Sequence, residues 1–186
     1  MSLVELIAQA DERGLAVSGL ACLDRCVPLL GGDDEVLRPL WASLAADAAP
    51  GAWSERLEQT RGTLDAAADG ADEAVVLAHR MLATAPAEPS AAGLRDWADA
   101  CSLAALRIHR LLDGGAAEDT GPADACREGA AEALSPLLAA ELRRQITVLE
   151  VLSAHGPAGL RGALEVATEG RRVLRAAVSR RSRRDG

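Results

Sequence analysis

A chain of 186 residues with 49% hydrophobic content can bury one full core and is too apolar to stay unfolded. Its net charge of −8 is split unevenly, −14 over residues 1–142 (10 Arg against 24 acids) and +6 over residues 143–186 (10 Arg against 4). An acidic body argues against nucleic acid as a partner, and with no apolar run of the roughly 18 residues a membrane span needs, no membrane association is expected.

Residues 2–10, SLVELIAQA, lack the basic start and long apolar stretch of a secretory signal, so a cytoplasmic protein is expected. The apolar fraction is mostly Ala, Leu and Val, with three Trp and neither Phe nor Tyr. Strand-rich proteins lean on aromatic and β-branched residues, so this core calls for Ala–Leu helix packing. The expected fold is an all-α, single-domain bundle of about seven or eight helices over residues 1–179, with mostly antiparallel neighbours. Residues 180–186, RRSRRDG, are expected to be a solvated, disordered basic end.

Ser2-Leu3-Val4-Glu5 reads as a capping box opening a first helix that Gly14 ends or kinks. A second helical segment runs from Leu15 to Leu30, with Pro28 near its end and Gly31-Gly32 stopping it. Asp33-Asp34-Glu35 places three acids at the next helix start, where the helix dipole favours them. Leu37, Leu40, Trp41 and Leu44 then share a face. Beyond the turn at Ala49-Pro50-Gly51, Trp53, Leu57, Thr60, Leu64 and Ala67 form a narrow amphipathic stripe. A short helix from Ala71 to Thr84 and a long one from Ala91 to Leu112 follow. Apolar residues on both sides of the long helix make it the candidate centre of the bundle.

Residues 113–122 read as a loop, and a short helix is expected from Ala123 to Leu134. Ser135 to Pro157 is the best-defined helix. Ser135 can cap it, Pro136 occupies the first turn, and Gly156-Pro157 stops it. The last helix should run from Pro157 to about Ser179. Residues 20–32 and 103–115 share six of thirteen positions, either as a weak two-part duplication or as chance likeness between Ala/Leu-rich helices.

Few residues point to chemistry. Glu141 and Gln145 fall on the apolar side of the Ser135–Pro157 helix when placed at about 100° per residue. A buried carboxylate must be paired or protonated, so Glu141 faces either an internal Arg or a ligand or partner in a pocket. Cys22 and Cys26 lie four apart on one helix face, with Cβ atoms about 5–6 Å apart, a spacing that suits a two-thiolate soft metal such as Cu(I). CxxxC on a helix resembles copper-storing four-helix bundles, which line their interiors with many more cysteines; the alternative is two ordinary core thiols.

His79, His109 and His155 belong to no HxxxH, ExxH or HExxH pattern, and packing or capping roles are expected. Arg171, Arg172, Arg175, Arg180 and Arg181 form a basic strip that could meet an anionic partner or offset the charge of the body. No phosphate loop, nucleophile elbow or paired-carboxylate signature occurs, so no catalytic residue and no cofactor is assigned and an enzyme is not favoured. The sequence therefore points to a non-enzymatic cytoplasmic interaction or regulatory protein, acting on a protein partner or as a homodimer. The alternative is a bundle that binds a small molecule or Cu(I).

Overall fold

A computed structural model describes residues 1–115, 121–130 and 134–186. Its helices are α1 (Leu3–Gln9), α2 (Glu12–Arg25), α3 (Arg38–Ser43), α4 (Ala52–Thr63), α5 (Glu73–Ala83), α6 (Ala91–Leu112), α7 (Gly121–Arg127), α8 (Pro136–His155) and α9 (Leu160–Asp185). No strand occurs among the described residues. The all-α bundle expected from composition is the fold found.

Local chemistry explains most of the boundaries. Ser2 and Glu5 cap α1 reciprocally. The first helix does not continue to Gly14: α1 stops at Gln9, and Asp11 accepts from the Gly14 amide to start α2. Nor does α2 reach Leu30. It ends at Arg25, and a 3-10 turn over Val27–Leu29 takes in Pro28, which has no N–H to give an α-helix. The acids Asp33-Asp34-Glu35 do not open a helix either. The Asp33 carboxylate accepts from the Glu35 amide at 2.6 Å, closing a turn, and α3 begins only at Arg38, with Pro39 in its first turn. The stripe from Trp53 to Ala67 is helical only to Thr63. The stretches 116–120 and 131–133, which include parts of the expected loop and of the expected Ala123–Leu134 helix, lie outside the described residues.

The two central helices are α2 and α6. Every α2 residue from Gly14 to Arg25 is buried, and α6 packs against α2, α5 and α8. Close approach depends on small residues. A Cβ on Gly19 would stand 2.5 Å from the Trp97 ring, so α2 and α6 can touch there only through glycine. The two similar segments lie on these packed neighbours, and each stops at a left-handed glycine, Gly31 at φ 77° and Gly114 at φ 88°. The indole of Trp97 donates to the Met81 carbonyl at 2.9 Å, stitching α5 to α6. Trp53 of α4 meets Trp97 edge-on, with ring centroids 5.8 Å apart.

At the other end of the chain, α9 continues through the residues expected to be disordered and stops at Asp185. The cause is tertiary. Arg181 pairs with Asp72 at 2.7 Å, and Arg184 donates to the Leu112 carbonyl at the end of α6. No described helix is long and apolar enough to cross a membrane.

Candidate functional site

The polar interior is built where α2, α6 and α8 meet. The guanidinium of Arg25 donates from Nε to Glu141 Oε2 at 2.9 Å and from Nη2 to Glu141 Oε1 at 2.7 Å. Nη2 also reaches the Cys22 sulfur at 3.4 Å. Gln145, one turn beyond Glu141 on α8, donates to Glu141 Oε1 at 2.9 Å and to the Ser102 carbonyl at 3.2 Å. The Ser102 hydroxyl donates back to Gln145 Oε1 at 2.6 Å and accepts from Arg127 Nε of α7. Arg127 carries the network to the half-exposed Asp99, with which it is ion-paired.

Neither Glu141 nor Arg25 has any solvent exposure. Glu141 and Gln145 thus face an internal Arg, the first of the two alternatives open in the sequence. Burial opposes the charge on Glu141, but Arg25, His109 and Gln145 outweigh it and hold the carboxyl below its usual range. Burial likewise opposes the charge on Arg25, and Glu141 reverses the effect.

His109 sits against the same carboxylate. Its Nδ1 donates to the Ala105 carbonyl at 2.7 Å, which fixes that nitrogen as the protonated one, since a carbonyl can only accept. Its Nε2 lies 3.4 Å from Glu141 Oε2 and has no hydrogen-bond partner among the described residues; Arg25 Nη1 has none there either. Periodicity put His109 at the edge of an apolar face and gave no hint of the carboxylate 32 residues further along the chain.

Cys22 and Cys26 are in the core, and no group of three or more His, Cys, Asp or Glu suited to a metal ion occurs among the described residues. Burial pushes the Cys22 thiol up to about 12 despite Arg25, and raises Cys26 well above a normal thiol. A metal ligand must be a thiolate, so the burial that raises both thiols works against metal binding there.

The arginines of α9 are not one open strip. Arg171 is buried and donates to Asp24 Oδ1 at 2.5 Å, while Trp41 Nε1 donates to Asp24 Oδ2 at 2.7 Å. Even with these two partners, burial keeps the Asp24 carboxyl above its usual range. Arg175 pairs with Asp34 and Arg181 with Asp72, while Arg172 and Arg180 stay exposed. Three strip arginines are therefore bound to acids of the chain's own first half. The sequence offered no way to find Arg25, Asp24 or Arg171 as interior charges, because each looks locally like a solvated helix residue.

Away from the polar interior, α5 and α6 enclose an open groove of about 260 Å³. Leu77, Met81, Trp97, Cys101 and Ala104 supply its apolar lining, with Arg80 and Asp96 among the polar residues at its edge. Set against known proteins, the chain matches no family model, no curated protein and no solved structure.

Proposed function

We propose that the protein is a non-enzymatic interaction protein that receives one or two large apolar side chains of a protein partner in the α5–α6 groove. The groove itself carries this reading: an apolar floor open to solvent, with Arg80 and Asp96 to orient what enters. Its volume of about 260 Å³ falls below the roughly 300–1,000 Å³ of sites that engulf a whole small molecule, and suits side-chain anchors better. A net charge of −14 over residues 1–142 favours a partner with basic flanks around those anchors. The cytoplasmic setting belongs to the same reading. Catalysis gains no support from the strongest acid–base cluster, because Arg25, Glu141 and His109 are sealed from any substrate.

A photo-crosslinking residue at the exposed Ala100, on the groove margin, should capture one discrete adduct in the source cells. The purified partner should then bind the unlabelled protein and lose most of that affinity against Asp96→Arg or Ala104→Trp. Equal binding by parent and both variants overturns the proposal. Native mass spectrometry separates the other readings: a retained small molecule expelled by Ala104→Trp favours a ligand-binding bundle, and a dimer disrupted by the same substitution makes the partner a second copy.

A further inference from the structure

We infer that His109 and Glu141 form a buried proton-operated switch, in which one proton added to His109 Nε2 loosens α2 from α6 and α8. The geometry is unusual in one respect. His109 Nδ1 is committed to the Ala105 carbonyl, so the neutral ring must aim a lone pair from Nε2 at the Glu141 carboxylate 3.4 Å away. That nitrogen is fully buried and has no other partner among the described residues. A proton from solvent would form an N–H bond at Nε2 and turn this lone-pair opposition into a charge-assisted contact. The same proton changes the cluster from a neutral Arg25–Glu141 pair to a net cation, with two cationic groups competing for one carboxylate.

What surrounds the pair decides which effect wins. From α2 and its C-terminal end come Arg25, Cys22 and Cys26, none of which can supply a second negative charge while the thiols stay protonated. From α8 come Gln145, which is neutral, and Arg144, whose charge acts against a cationic His109. Arg127 of α7 approaches through Ser102, and α9 contributes Gly170 against the Arg25 stem, with Glu169 engaged by Arg144 at 3.6 Å. Among the described residues Glu141 is the single anion in direct contact, and Arg25 already holds both of its oxygens. The added charge is therefore poorly compensated among side chains with no solvent exposure. Burial, foremost among the influences on His109, holds its protonation below the range of a free histidine, outweighing Glu141 and the Ala105 hydrogen bond. The unfolded chain takes the proton first, so acid favours opening.

A histidine with a depressed folded-state pKa contributes stability that is fully present above the unfolded value of about 6.5 and is lost as pH falls below it. One such proton changes the folded-to-unfolded ratio by up to tenfold per pH unit.

The test uses the full chain with His79→Gln and His155→Gln, which leaves His109 as its sole histidine. Titration of its ring by NMR should show the Nδ1–H tautomer persisting well below pH 6.5. Hydrogen-exchange protection of α2 should fall as His109 charges. Between pH 7 and 5, His109→Asn should lose at least fivefold less of its folded-to-unfolded ratio than the parent. Should His109→Asn fail to fold, the titration and exchange data decide alone. A ring that charges at or above pH 6.5, or α2 protection unchanged across the titration, overturns the switch. So does a pH profile shared by parent and a folded His109→Asn.

Discussion

Arg25 grips Glu141 through both Nε and Nη2 across 116 residues of sequence, and neither side chain reaches solvent. This pair joins α2 to α8 at the point where both also meet α6. An ion pair so deeply buried recovers little net free energy relative to an apolar replacement, but losing half of it strands a charge.

Replacing Glu141 by Gln should therefore destabilise the protein by about 3–5 kcal/mol, the range for breaking a buried pair. The double substitution Arg25→Met/Glu141→Leu should recover most of that loss, since it leaves no unpaired charge. Denaturant midpoints for the parent, Arg25→Met, Glu141→Leu and the double variant close the cycle, with Glu141→Gln as the isosteric comparison. A double variant no more stable than Glu141→Gln would show that the pair supplies net stability of its own.

Gly170 of α9 crosses directly over the Arg25 stem, where an added Cβ would stand 2.3 Å from Cδ and 3.0 Å from Arg144 Cδ. In an open helix, Gly→Ala gains about 1 kcal/mol of helix propensity. Here Arg25 is pinned by Glu141 and cannot swing aside, so overpacking of about 1–3 kcal/mol should outweigh the gain. Thermal unfolding of Gly170→Ala should show a lower midpoint; a higher one would mean that α9 can lift away at little cost.

All four cysteines are free and buried. With Cys22 pushed up to about 12 and Cys26 and Cys101 well above a normal thiol, the native protein should be nearly inert to a thiol-specific disulfide reagent at pH 8. All four should react once denaturant is added. By the same reasoning, Cu(I) titration should give equal stoichiometry for the parent and Cys22→Ala; a loss of one equivalent in the variant would restore the metal reading.

Arg181 and Arg184 give the C-terminal end structural partners in Asp72 and the Leu112 carbonyl. Deleting residues 180–186 should lower stability by at most about 1 kcal/mol, the scale of a partly exposed ion pair. Faster hydrogen exchange should be confined to the last turns of α6, the start of α5 and the cut end of α9. Exchange indistinguishable from the parent would mean that the end does not hold those elements.

Much of the helical plan is legible in order along the chain because caps and stops act within four residues. Ser135, Pro136 and Gly156 bound α8 where the sequence places it, and Ser90 does the same for the start of α6. Glu141 and Gln145 can be recognised as inward-facing from periodicity alone, since that depends only on helix geometry. The misread stretches have local causes that compete with periodicity. Pro28 turns the end of α2 into a 3-10 turn, and the Asp33 side chain satisfies an amide that a helix would otherwise use.

The all-helical class, the Ala–Leu core and the need for a partner at Glu141 were determined by the sequence itself, through composition, capping and the 3.6-residue period. That this partner is Arg25, that His109 presses on the same carboxylate, and that the arginines of α9 fold back onto Asp24, Asp34 and Asp72 were decided only in three dimensions. Such pairings span from 32 to 147 residues of chain. No local rule carries that far, because which charges meet depends on the packing angles of whole helices and on the glycines that let them close.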